Sequence, residues 1–439
     1  MRALALVALA GSFAVTFLPG PWGDESVTDL FLYRSYADLF LDGSLPYRDV
    51  AFEYPPLAAP LLALPAVAGA DDGAYRLAFA ALALVLAAAL VALVGGLARR
   101  TGGHPGRAML AMAVSPLLTG AMLRTHFDLA PVALTLAALL LLVSNRPRTG
   151  LAVLGAAVMT KGFPIVVLPV AFAWLMAHGR RREAVGATAA FALVVVAVAG
   201  VAAAVSPSGA ADAVTYHLDR PAQVESAPAM VLLGLDGLGA GRADVAHSYR
   251  SEGVKHPAAA AVVALFTALL IAAVALMTAG AARRPGAADT GAEPEARILV
   301  LGSLGAVAAF AAFGKVLSPQ FLIWVVPLAA LALAWAMPAL ATAAATAVVL
   351  TLVEFPAHYA DVVQREPAAL WLVAVRDAVL ALAVGLAARE LHRRGAPRRW
   401  SKGAPPPVAT HRLVSPARAP GSARSRWRVR RGPPRPAPR

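Results

Sequence analysis

The sequence predicts an all-α integral membrane protein with about 12 membrane-spanning helices, and three observations predict it. Of 439 residues, 59% are hydrophobic and only 15% charged, and the mean hydropathy is +0.67, outside the usual balance of a soluble domain. The apolar residues fall in long runs rather than alternating as in a barrel. Each crossing needs about 20 of them, because lipid offers the backbone no hydrogen-bond partner and a helix satisfies its own. Finally, Arg clusters recur between runs in a spacing that one orientation can place on a single side. The chain has no cysteine, which excludes disulfides, thiolate chemistry, cysteine-ligated zinc and iron–sulfur clusters.

The first run, "ALALVALAGSFAVTFLPG", follows Arg2 and lacks a small-x-small cleavage site, so it reads as a helix running outward from the cytoplasm. Further runs cover about 74–97, 107–122, 128–144, 150–177, 184–205, 258–281, 297–313, 320–336, 338–355 and 368–388. The basic clusters are Arg99/Arg100/Arg107, Arg146/Arg148, Arg180/Arg181/Arg182 and Arg283/Arg284/Arg297. All face the cytoplasm under two conditions. Residues 55–70, with Pro55, Pro56, Pro60 and Pro65, must form a short helix at the outer interface, and residues 150–177 must go out and back, turning at "TKGFP". Both termini are then cytoplasmic, and two large segments, about 20–73 and 206–257, lie outside. No internal repeat is visible.

The formal charge of +14 belongs to the C-terminus: from Arg389 to Arg439 there are 15 Lys/Arg against the single Glu390. Residues 1–390 are therefore the membrane domain. Residues 391–439, rich in Pro, Ala, Gly and Ser, are expected to be disordered. The role expected of this tail is attraction to anionic lipid headgroups at the cytoplasmic leaflet, about 1 kcal/mol per basic residue near the surface. Nucleic acid is not needed as a partner.

This topology gathers the unusual polar residues on the outer face, where ionisable groups mark a functional cavity or a compensating pair. Arg124 and Asp128, four apart, fit either an ion pair at a helix end or ligand contacts. Lys161 has no carboxylate within four residues. Lys315 either snorkels to the interface or faces a ligand, and Ser318, Pro319 and Gln320 either open the next helix or line a site. In "DESVTDLFLYRSYADLF", Asp29, Tyr33 and Tyr36 follow an i, i+4, i+7 rhythm that puts them on one face of a short helix. That pattern suits an interfacial helix with aromatic anchors, and equally a carboxylate general base beneath a wet cavity.

"DLFLY", "DGSLPYRDVAFEYPPL", "HFDLAPVALTLAAL", "TKGFPIVVLP", "RPAQVESAPA" and "KVLSPQFLIWVVP", in this order, resemble the polytopic bacterial mannosyltransferases of glycosyltransferase family 87 over roughly residues 1–390. The resemblance implies a GT-C-like bundle with short interfacial helices in the first outer loop. It also implies inverting transfer of a mannosyl residue, outside the membrane, from a polyprenyl-phosphate sugar to a glycolipid or glycan. The base expected in the first outer loop maps onto Asp29, with Asp24 the nearest competitor.

The chemistry agrees with that mapping. A lipid phosphate is a good leaving group, so one carboxylate base suffices, aided by positive charge at the phosphate. Lys161, Arg124, His126, Lys315 and Arg220 are the candidates for that charge. Tyr33, Asp49, Glu53, Tyr54, Asp128, Glu225 and Gln320 complete the expected substrate-binding set, with Glu53 toward sugar hydroxyls and Tyr54 stacking on a ring. No cofactor or metal site is expected. The rival readings are a secondary transporter or lipid-linked sugar flippase, whose sites sit near the midplane between related halves, and a non-catalytic scaffold.

Overall fold

A computed structural model describes residues 1–69, 71–283 and 292–394. The chain opens with α1 (Arg2–Val15) and, after a polar stretch, α2 (Leu30–Leu41), which starts at Asp29. The proline-rich segment forms α3 (Ala58–Ala63) and one 3₁₀ stretch, Leu64–Ala68, as its prolines require. Then come α4 (Asp72–Arg100), α5 (Pro105–Ala113), the single turns α6 (Pro116–Thr119) and α7 (Met122–Thr125), and α8 (Leu129–Val143). The run 150–177 is broken as expected. Helix α9 (Pro147–Thr160) stops before Lys161, a 3₁₀ turn spans Phe163–Val166, and α10 (Val167–Ala177) follows.

Helices α11 (Arg181–Val205) and α12 (Pro207–Asp219) lead into β1 (Ala222–Gln223), α13 (Ala227–Gly237), β2 (Asp244–Ser248) and β3 (Ser251–Lys255). The remainder is helical: α14 (Ala259–Ala281), α15 (Ala292–Phe313), α16 (Val326–Ala334), α17 (Pro338–Glu354), α18 (Tyr359–Val363) and α19 (Pro367–Arg394). The expected disordered tail, 391–439, lies outside the described residues from 395 onward; its first four residues close α19.

Among the described residues five helices, α4, α11, α14, α15 and α19, are long and apolar enough to cross a membrane. The most apolar stretches of α11 and α14 are only 11% and 6% buried in the protein. Faces this greasy and this bare belong in lipid, and the chain is a multi-pass membrane protein. The other apolar helices are 10–17 residues long.

The all-α expectation needs one correction. Residues 222–255 carry a small antiparallel sheet in the order β1–β3–β2. Strands of two to five residues give too few alternations to read. The hairpin turn between Ser248 and Ser251 also lacks the Asn-Gly that announces such turns. Tyr249 and Arg250 instead hold φ of 52° and 54° there.

Polar links separate the two ends of the bundle. At one, Arg297 donates to the carbonyls of Thr101 and Gly102, Arg180 to Asn145, and the Trp174 indole to Glu295. At the other, Leu57 N–H bonds Met159, Gln223 N–H bonds Lys315, and His217 Nε2 lies 2.8 Å from the Glu53 carbonyl. The Arg-bearing loops are gathered at the first end and the acidic and aromatic segments at the second.

Candidate functional site

The amphipathic rhythm of 29–36 puts Tyr33 and Tyr36 on the buried face of α2, within an aromatic cluster with Tyr47, Phe52, Tyr75, Phe79 and Phe127. Asp29 stands at the head of this face, one-third exposed. The Tyr33 hydroxyl donates to its Oδ2 at 3.1 Å. Burial, then the nearby Asp29 charge, push the Tyr33 phenol well above its ordinary pKa, so it stays a donor. His126 Nε2 lies 3.6 Å from the same oxygen. Its ring is oriented by Nδ1, which is 3.0 Å from Thr125 Oγ1 and 3.2 Å from the Met122 carbonyl. A small open crevice is lined by Leu61, Phe79, Leu82, Phe127, Leu129 and His126. Asp24 faces a separate crevice with Pro21, Val27, Thr119, Thr125 and Phe355.

Behind Phe127, the break between α9 and α10 delivers Lys161 to Asp128. Its Nζ is 2.7 Å from Oδ1 of a carboxylate with no exposed surface, and the Trp324 indole donates to the same oxygen at 2.6 Å. The ammonium lies 4.8, 5.3 and 5.6 Å from the Phe127, Phe321 and Trp324 ring centres. Phe163 and Phe321 stack on Trp324 at 3.9 and 4.0 Å. Gln320, in the same 3₁₀ stretch (Pro319–Trp324), accepts from Ser318.

The second outer segment brings two further cations. Lys315 Nζ donates to the carbonyls of Leu218 and Arg220 at 2.6 and 2.7 Å, and Arg220 donates to Ser251 Oγ at 2.8 Å beside the Tyr216 ring. Neither makes a salt bridge among the described residues, and the Asp219 carboxylate lies near enough to act on Lys315. Burial, and for Lys315 also the Arg220 charge, hold both below their ordinary pKa values. Arg220 feels Glu53 and Asp29, and His217 feels Arg220, Lys161 and Lys315. Of the expected cations, His126 lies beside Asp29 and Arg220 is near enough to feel its charge.

Other expected residues are committed to neighbours. Arg124 is buried against Thr16, whose carbonyl accepts from Nη2 at 2.6 Å, pairs with Glu25, and stacks over Phe17. Glu25 also binds Arg76. The Arg124–Asp128 pair, open from their spacing, does not form. Glu53 is bound by the Tyr36 hydroxyl, with Arg250 Nη1 at 3.5 Å. The Tyr54 ring is packed edge-on to Tyr33 and Phe127. Asp49 stays local, accepting from Leu45 N–H and pairing with Arg48. Glu225 lies apart from Asp29, buried with Glu354, Arg376 and Asp377.

Sequence reasoning missed Glu25, Arg76, Arg250, Trp324, Arg376 and Asp377. Only the last pair had a clear signal, an Arg-Asp inside the apolar run "WLVAVRDAVLALAV".

The chain matches the model of glycosyltransferase family 87 over residues 52–292. Among solved structures it is similar to ArnT from Cupriavidus metallidurans in the apo state. The two share 18% identity over 89% of this chain and 77% of that one, with a TM-score of 0.38, too loose a likeness to argue from. No curated protein matches.

Proposed function

The chain belongs to glycosyltransferase family 87, and from that premise we propose that it moves a mannosyl residue from a polyprenyl-phosphate sugar to a glycolipid or glycan, with inversion. The single observation that carries this reading is that Arg220 and Lys315 are held by a hydroxyl and backbone carbonyls without a salt bridge among the described residues, while Asp29, whose charge reaches Arg220, is part-exposed. An anion is the natural complement to such a pair.

In this mechanism Asp29 accepts the proton of the acceptor hydroxyl, whose oxygen attacks the anomeric carbon from the side opposite the phosphate. The carbon–oxygen bond to phosphate breaks, and the lipid phosphate leaves with the electron pair, while Arg220 and Lys315 hold its anionic oxygens equally in the bound donor and during departure. Tyr33 and His126 hold Asp29 in place. Lys161, with Asp128, Trp324 and Gln320, forms the aromatic wall, while Glu53 and Tyr54 shape the rim. Arg124, Asp49 and Glu225 act through the backbone they hold rather than by touching substrate.

The site faces the extracytoplasmic side in this reading, because the Arg-bearing loops at the opposite end belong in the cytoplasm with both termini. The bundle is of GT-C type with about 12 crossings, several made by short helices. The basic tail rests on anionic headgroups. Membership in a transferase family weighs against the transporter and flippase reading.

The test is purified protein with polyprenyl-phosphate-mannose and a membrane glycolipid fraction. Asp29→Asn is expected to abolish transfer while the protein stays folded. Full activity in that variant would move the base to Asp24, Asp49 or Glu53, and no transfer by the native protein with any polyprenyl-phosphate sugar would overturn the reading.

A further inference from the structure

One dense group of ionisable side chains lies outside this chemistry. Glu225, Glu354 and Arg376 have no exposed surface and Asp377 has 5%. Arg376 Nε donates to Asp377 at 3.0 Å, Nη1 lies 3.6 Å from Glu354, and Nη2 donates to the Glu225 backbone carbonyl. Gln223 Nε2 donates to Glu225 Oε2 at 3.0 Å. Glu225 Oε1, both Glu354 oxygens and Asp377 Oδ2 find no donor. Three buried carboxylates around one guanidinium would leave an excess of two negative charges out of water, which folded proteins avoid by retaining protons. Arg376 fills the middle of the group, so a metal cation has no favourable place there. Among the described residues, His358 is the other basic group that acts on Glu354. Tyr359 and Glu252 are the other titratable groups near Glu225.

We propose that Glu225 is a neutral, proton-bearing positioning residue, hydrogen-bonded to Glu354, whose proton keeps the strand that shapes the Arg220–Lys315 anion site in place. The proposal rests on the phosphate reading of that site.

Three connections support it. Arg376 fixes the chain at the Glu225 carbonyl, Gln223 N–H bonds the Lys315 carbonyl at 2.9 Å, and Lys315 Nζ bonds the Arg220 carbonyl. The protonated group and the anion site are therefore close along the chain: Glu225 sits in the turn directly after β1, two residues from Gln223. Burial, then the Glu354 charge, hold the Glu225 carboxyl well above the usual carboxylate range. Loss of its proton sets two like charges against each other under β1 and disturbs the carbonyls that orient Lys315. Asp29 and its partners lie outside this chain of bonds, so the chemical step is spared.

The experiment is a pH series of transfer by the full chain, with polyprenyl-phosphate-mannose as donor, comparing native protein with Glu225→Gln and Glu354→Gln, whose amides replace the shared proton. In native protein, donor KM is expected to rise about tenfold per pH unit on the alkaline side while kcat holds. In the Gln variants KM stays flat. An alkaline limb unchanged in both variants, or a fall in kcat at constant KM, overturns the proposal. Thermal unfolding of the same proteins separates it from the catalytic reading. A group whose folded pKa is raised loses stability as pH climbs from its unfolded value toward its folded one. Native protein should soften over that window and Glu225→Gln should not, whether or not transfer is seen; equal slopes overturn the proposal. If Glu225→Gln fails to fold, Glu354→Gln carries both readouts.

Discussion

Replacing Lys161 by Met tests whether its ammonium is there to neutralise Asp128 or to meet substrate. The methionine nearly conserves volume, but it leaves a carboxylate with no exposed surface facing only the Trp324 indole. Breaking a buried pair by removing one member costs about 3–5 kcal/mol. In Asp128→Asn/Lys161→Met no charge is left buried, and stability should return to within about 1 kcal/mol of native. Detergent-solubilised unfolding of the four proteins in a double-mutant cycle gives the coupling. Losses that add would refute the pairing. Transfer by the refolded double variant then reports on substrate contact separately.

Three further outcomes follow. Arg220→Gln and Lys315→Met should each raise donor KM about tenfold or more, leave kcat within a few-fold, and weaken the salt dependence of binding, since each removes a cation that makes no salt bridge among the described residues; steady-state kinetics at two ionic strengths checks this. Arg124→Met should cost about 3 kcal/mol of stability by leaving Glu25 to Arg76 alone, with donor KM unchanged in the protein that folds. His217 is held below its ordinary pKa, chiefly by burial. Its contribution to stability is therefore complete above about pH 6.5 and lost as pH falls below it. His217→Asn should lack that acid limb in thermal unfolding.

What could be read from the chain, and what could not, follows from the range of the interactions involved. Helix breaks are local events. Pro164 after Gly162 ends α9 at Thr160 whatever surrounds it, and the four prolines near residue 60 limit α3 to six residues. The α2 face is likewise local, since Asp29 and Tyr33 are one helical turn apart and bond directly. Ion pairing is not local. Lys161 seemed unpaired because its partner is 33 residues away, and Arg124 finds Glu25 across 99. Four-residue spacing suggested Arg124 with Asp128, but the geometry forbids it. Asp128 begins α8 while Arg124 belongs to the separate turn α7, with His126 extended between them.

The same reasoning explains why charge at membrane depth flags candidate residues without assigning their partners. A polar residue in an apolar run costs enough that it must be answered somewhere, so each such residue is a reliable flag. The answer, however, is a tertiary contact. Arg124 is answered by Glu25, Lys161 by Asp128, and Arg376 by Asp377 and Glu354. Among the described residues Arg220 and Lys315 are hydrogen-bonded to a hydroxyl and backbone carbonyls and make no salt bridge. In the proposed reading that imbalance is where an anion binds, and it can be recognised only after the paired charges have been set aside.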